Sequence, residues 1–321
     1  MEKIAFSARL NSFLTKPELF WSDKPSPTTI DLLERLSTVT GITHAELNYP
    51  QHFRVVDIGS VRQALNSFNL EYSGTALRYG NEFQCGSLSN PNPAIRKRAI
   101  DITKRAVETT LELGGLLTTM WFAHDGFDYA FQMDYEKAWS LLIEGIREVA
   151  QAYPEAQLSI EYKPYQPRAF SLIGDIGTTL YGIQDVGCPN VGVTLDLCHV
   201  MMKRENPACS LALAASHGKL KGIHLNDGYQ DNDDGLMIGS VHLMQTLEFI
   251  YYLKKYRYSG LVYFDTFPIR EDPVKECAAN IEMFRLMSDF IDRYGMERVG
   301  QIVAKGDALE SRHLLKEIFI K

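Results

Sequence analysis

The sequence is poor in cysteine, lacks a CxxC pair and carries no excess of basic residues. Five cysteines stand at 85, 188, 198, 209 and 277. Their number is odd and no two sit three positions apart, which argues against a disulfide framework and against a structural zinc site. Such usage fits a reducing compartment. Lys and Arg total 33 against 40 Asp and Glu, a formal net charge of -7. Without a basic run there is no electrostatic footprint for nucleic acid, and none is expected as a partner. No apolar run approaches the roughly 18 residues of a membrane span. The opening MEKIAFSARL lacks the basic-then-apolar layout of a signal peptide. A cytoplasmic protein acting on a small molecule is expected, with no membrane partner.

What is present is ordinary globular material. The 321 residues are 45% hydrophobic and 23% charged, enough for a large core. Eight short apolar runs recur, at 3–10, 44–50, 70–77, 116–124, 158–163, 191–199, 220–227 and 261–268. Helical patterns lie between them. PAIRKRAIDITKRAVETTLEL opens on Pro93, and YEKAWSLLIEGIREVAQAY sets Trp139, Leu142, Ile143 and Ile146 along one face. Eight strand–helix units suggest parallel β/α repeats that close into a (β/α)8 TIM barrel, an α/β fold. A doubly wound open sheet is the alternative, but no GxGxxG follows the first strand. The expected division is a barrel domain over 1–294 and a C-terminal helical extension over 295–321. The Pro-punctuated connection 11–27 is a candidate active-site loop.

In such a barrel, chemistry collects at the C-terminal ends of the strands. Strand five ends in Glu161 and Lys163, strand six in Asp196 and His199, strand seven in His224, Asn226 and Asp227, and strand eight in Asp265. Three carboxylates buried together without a counter-ion would be costly. Glu161, Asp196, His224 and Asp265 are therefore expected to enclose one divalent cation. The oxygen-rich set suits Mn²⁺ first, with Mg²⁺, Co²⁺ or Zn²⁺ as alternatives. A second cation is expected between Asp196, His199 and two aspartates of the loop DGYQDNDDG, with Asp231 and Asp233 ahead of Asp234. Taken one at a time, each of these residues could equally be a helix cap or a salt-bridge partner.

These pieces resemble the xylose-isomerase-like sugar isomerases and epimerases, and most closely the aldose–ketose isomerases of xylose and L-rhamnose type. EYKP (161–164), LDLCH (195–199), HLND (224–227), LMIGS (236–240) and FDTFP (264–268) carry the resemblance, with support from GSLSNPNPAIRKRA (86–99) and MWFAHDGFDYAFQ (120–132). It spans about residues 40–270. The resemblance implies a TIM barrel with one or two divalent cations, and Asp196 bridging them. It gives Lys163 the position that hydrogen-bonds the substrate's reacting oxygen, and Trp121 the aromatic wall along the sugar. Phe122 and Phe83 extend that wall. His52 is a candidate for ring opening, against a plain surface-loop histidine, and His124 has no assigned role. One departure stands out: Gly235 precedes Leu236 where the family has an acidic residue.

The expected reaction is aldose–ketose interconversion by a metal-assisted hydride shift between C2 and C1. Glu161, Lys163 and Asp265 are the expected catalytic groups. Trp121, Lys163, His199, Phe83 and His52 are the expected substrate contacts. A ketose 3-epimerase on the same barrel, a repair endonuclease and a non-catalytic sugar-binding barrel are the alternatives. Arg78, Arg168 and Arg270 follow strands three, five and eight, as surface charges or as contacts to an anionic substituent. A homo-oligomer, dimer or tetramer, is expected.

Overall fold

Period-two alternation in eight short segments gives eight strands, and all of them are parallel. The computed structural model describes residues 4–24 and 26–319. Lys3, Pro25 and the last two residues, which touch the expected first strand, the 11–27 loop and the tail, lie outside the described residues. The strands are β1 Ala5–Ala8, β2 His44–Tyr49, β3 Glu71–Arg78, β4 Leu117–Trp121, β5 Gln157–Glu161, β6 Val191–Asp196, β7 Leu220–Leu225 and β8 Leu261–Phe264. From β2 to β8 each pairs with its sequence neighbour, and β8 pairs with β1. Between β1 and β2 the Thr43 amide donates to the Phe6 carbonyl at 3.2 Å, so the ring is nearly closed.

A helix follows each strand: α1 Thr29–Ser37, α2 Ile58–Ser67, α3 Pro93–Glu112, α4 Tyr135–Ala152, α5 Ile176–Val186, α6 Pro207–Ser216, α7 Leu243–Lys255 and α8 Pro273–Tyr294. Local chemistry sets where they begin. Asn92 caps α3 by accepting from Ala94 and Ile95, Asp134 caps α4, and Asp272 caps α8 just before Pro273. Their apolar stripes face the sheet. Leu33, Leu36, Leu142 and Ile146 are completely buried, and each such side chain contributes about 1.5–3 kcal/mol. The tail continues as α9 Met296–Lys305 and α10 Ala308–Phe319. Val299, Ile302 and Leu314 are buried and join the main core. Among the described residues no helix is long and apolar enough to cross a membrane.

The barrel interior is built in steps of two residues. Thr119, Ser159 and Thr194 form a floor of small hydroxyls, with Thr194 donating to Ser159 at 2.7 Å and Ser159 to Thr119 at 3.3 Å. Gly222 keeps that floor tight: a Cβ there would stand 2.4 Å from the Thr194 hydroxyl. Two residues further along, the same strand faces deliver Trp121, Glu161, Asp196 and His224 to the rim.

Candidate active site

The rim of β5 to β8 gathers four metal-competent side chains. One ligand atom from each of Glu161, Asp196, His224 and Asp265 lies within 4.8 Å of the others, and all four residues are buried. The His224 Nδ1 stands 3.3 Å from Glu161 Oε1 and 4.0 Å from Asp196 Oδ2. Asp196 is held from outside the cluster. Its Oδ1 accepts the His199 amide at 3.1 Å, capping the short helix Leu197–Met202, and its two oxygens accept from Asn226 Nδ2 at 3.1 and 3.0 Å. On the far side of the imidazole, His224 Nε2 faces Glu46 Oε1 at 3.9 Å.

The cluster is electrostatically unsatisfied. Glu161 Oε2, His224 Nδ1, His199 Nδ1 and Asp265 Oδ1 are buried without a hydrogen-bond partner. Buried polar atoms are normally paired. Burial lifts Asp196 to about 7, aided by the charges of Asp233, Asp265 and Glu161 against the opposing pull of His199. Burial likewise raises Asp265 and Glu46. For Glu161 burial acts upward, but the His224 and Arg78 charges outweigh it and hold the carboxyl well below its usual range. His224 is pushed up to about 10, because Glu161, Glu46 and Asp265 outweigh the burial that would lower it. Protons thus stand where the carboxylates call for positive charge. The donor set, three carboxylates and one imidazole with open lone pairs, fits a divalent cation.

Beside the cluster lies a second group. Lys163 Nζ donates to Asp233 Oδ2 at 2.9 Å, and His199 Nε2 stands 3.2 Å from the same oxygen. Lys163 also lies over the Trp121 ring, 5.5 Å from its centroid. Burial acts to raise Asp233, but the bond to His199 and the charges of His199 and Lys163 outweigh it and hold the carboxyl low. A cavity of about 300 Å³ opens onto Trp121, Glu161, His199, Asp233 and Asp265.

Several expected site residues lie elsewhere. Asp231 is exposed at the loop tip, where the Tyr165 hydroxyl bonds its carbonyl. Asp234 turns back into its own loop and accepts the Tyr229 amide. Of the loop aspartates only Asp233 joins Asp196 and His199. Phe83 is core: it packs edge-on against Tyr79, off the cavity wall, and Phe122 stacks on the same ring. His52 is buried, not a surface-loop residue. Its Nδ1 accepts the Asn48 amide and its Nε2 bonds Asn11 Oδ1, both at 2.9 Å, so it supports the cavity wall from behind. Burial, reinforced by Arg9 and Arg78, lowers it to about 4. Arg168 pairs with Asp128 at 2.7 Å and Arg270 is exposed, whereas Arg78 lines the cavity.

The opposite wall comes from β1 to β3 and includes Arg9, Asn11, Asn48 and Gln51. Sequence reasoning looked for metal ligands and passed over these residues. Alternation puts Arg9 and Asn48 on the site face, since Ser7 precedes Arg9 and Glu46 precedes Asn48 by two, but it does not tell a pocket residue from a surface one, and Asn11 and Gln51 lie in short helical turns beyond the strands. Phe267 was missed as well. It packs on Gly235, where φ is +58° and a Cβ would stand 2.4 Å from the ring. An acidic residue at 235 would displace that ring, which gives the departure noted above a steric reason.

Residues 39–287 match the family model described as xylose isomerase-like TIM barrel. The chain belongs to that family. Within the xylose isomerase-like barrels, a probable sugar isomerase of Rhizobium meliloti (strain 1021) is 26% identical over 223 residues, 66% of this chain and 51% of the relative. A xylose isomerase of Thermus thermophilus is 26% identical over 197 residues, 59% of this chain and 51% of the relative. The chain spans about half the length of the curated relatives it matches. Among solved structures, a D-tagatose 3-epimerase-like protein superposes with a TM-score of 0.70 at 16% identity, covering 90% of this chain and 99% of its own. An L-ribulose 3-epimerase gives 0.69 at 15% identity, covering 93% and 97%. At such identities the shared property is the xylose isomerase-like fold.

Proposed function

We propose that the protein is a divalent-metal-dependent sugar isomerase that interconverts an aldose and a ketose. Glu161, Asp196, His224 and Asp265 would hold the cation. When bound there, the cation supplies Lewis acidity that makes the sugar's hydroxyl more acidic and its carbonyl more electrophilic. The observation that carries the reading is the Lys163–Asp233 hydrogen bond beside that cluster, 2.9 Å long. It sets an acid and a base side by side next to the cluster.

Proton bookkeeping then closes within this chain. Asp233, ionised at neutral pH, accepts the proton from the C2 hydroxyl. Hydride passes from C2 to C1 as the C2 carbonyl forms. Lys163 donates a proton to the oxygen on C1, and the Lys163–Asp233 bond returns the proton from the carboxyl to the amine. Lys163 also stabilises the charge building on the C1 oxygen, a preorganised electrostatic contribution. Trp121 excludes water from one face of the sugar. His199 keeps Asp233 in place and ionised. The relatives named as sugar isomerases support an enzyme acting on small sugars.

The folds named as 3-epimerases motivate the alternative. An epimerase needs two carboxylates free to exchange a proton with one carbon. Here Asp265 faces Arg9 at 3.4 Å and Glu161 faces Arg78 at 3.6 Å, and the Lys163–Asp233 pair would have no task. The test is to incubate the metal-loaded protein with a panel of aldoses and ketoses in deuterated water and follow them by NMR. The isomerase reading predicts interconversion without deuterium on carbon. Deuterium at C3 of a ketose would establish the epimerase instead, and binding without conversion would establish a sugar-binding barrel.

A further inference from the structure

We propose that the sugar taken by this cavity is acidic, a monosaccharide bearing a carboxylate or phosphate away from its reacting carbons, and that Arg9 and Arg78 bind that group. The inference rests on the isomerase reading for which end of the sugar reacts. It stands on its own for how the sugar is held.

Two guanidinium groups line a cavity of about 300 Å³, a size suited to one monosaccharide. Their donors are largely unspent. Arg9 makes one long side-chain hydrogen bond, to the Ser12 hydroxyl at 3.4 Å, and Arg78 makes none among the described residues. Their contacts with Asp265 and Glu161, at 3.4 and 3.6 Å, are ion pairs at a distance rather than hydrogen bonds. Each guanidinium lies over an aromatic ring, Arg9 over Phe267 at 4.6 Å and Arg78 over Trp121 at 5.1 Å. Such contacts leave the N–H donors free as a fork, the shape that matches carboxylate and phosphate. A neutral hydroxyl accepts one such donor and leaves the rest of the fork dry, at a cost.

Charge points the same way. Arg9 and Arg78 add two positive charges to the same wall of the cavity. Both arginines lie within Coulombic reach of His52 on the β1–β3 side of the cavity. Arg9 also lies outside residues 39–287, the part that matches the family model.

Calorimetric titration of the manganese-loaded protein tests this, with D-glucose, D-galactose, D-glucuronate, D-galacturonate and D-glucose 6-phosphate as probes. At least one acidic probe is expected to bind roughly tenfold or more tightly than its neutral partner. Arg9→Gln or Arg78→Gln should remove most of that preference while metal content, measured on each variant, is unchanged. Arg78→Lys keeps the charge but loses the fork, and should retain only part of it. Uronate and phosphate arms tell carboxylate from phosphate. Equal or tighter binding of the neutral sugars overturns the proposal, as does failure of every acidic probe to bind. A preference that survives both Gln variants also overturns it, since chelation by the cation would then be the cause. Conversion of neutral sugars alongside any of these results would leave the isomerase reading intact; acid-selective binding without conversion would remove that reading and keep this one.

Discussion

Lys163 and His199 share one carboxylate oxygen of Asp233, and the sharing fixes what each residue can do. Lys163→Met should lower kcat by about 10²–10³-fold, the usual loss for a preorganised electrostatic donor. The metal content should stay at the wild-type level. Loss of metal together with activity would show that the lysine only shapes the site. His52 carries a different prediction. Its folded value of about 4 lies below the ordinary 6.5, so the unfolded chain takes the proton first as pH falls. The stability it supports is present above pH 6.5 and is lost toward pH 4, by roughly 3 kcal/mol at most. A denaturation series from pH 7 to pH 4 should show that loss, and His52→Gln should flatten it. The β5–β8 rim was legible in the sequence because carboxylates and histidines ending apolar strands announce themselves. Arg9, Asn11 and Gln51 were not, because arginines and amides look the same in a pocket as on a surface. His52 was misread for a similar reason: only the fold reveals that Asn48 and Asn11 satisfy both its ring nitrogens.

At the scale of elements, the eight apolar runs located every barrel strand, but all except 70–77 ran past the strand ends. The overshoot has a cause. Functional residues continue the apolar pattern past the last ladder bond, and Asp196 ends a strand while capping the helix Leu197–Met202. Loop geometry was not legible. Asp227 ties the β7 loop shut by accepting the amides of Gly228, Val241 and His242, each at 2.9 Å, and the His242 ring at 2.8 Å. That closure carries Asp233 to Lys163. Asp227→Asn should speed amide hydrogen exchange across 228–242 and raise KM. Unchanged exchange would mean the loop is held elsewhere. Gly235→Ala should lower stability by about 1–3 kcal/mol through strain and overpacking against Phe267. A neutral outcome in chemical denaturation would show that the ring moves freely.

For the whole molecule, the helical extension over 295–321 packs on the barrel, and its Val299, Ile302 and Leu314 share the barrel's core. Barrel closure was legible from the count of repeats, whereas the packing of α9 and α10 depends on contacts that no local pattern encodes. The charge balance of the site also acts globally. His224 has a folded value raised from 6.5 to about 10, so in metal-free protein its contribution to stability is full below pH 6.5 and is lost as pH rises toward 10. Metal-free protein should therefore melt several degrees lower at pH 9.5 than at pH 7, and bound cation should remove most of the difference. Filling the site should also release protons from His224 and Asp196 near neutral pH, seen as a buffer-dependent heat of binding. The most direct measurement is elemental analysis of the purified protein after equilibration with Mn²⁺, alongside Glu161→Gln and His224→Gln. Stoichiometric divalent ion in the wild type and its loss in both variants is the predicted result. A wild-type protein that retains no divalent ion, or variants that retain it fully, would contradict a cation centre built from these four strands.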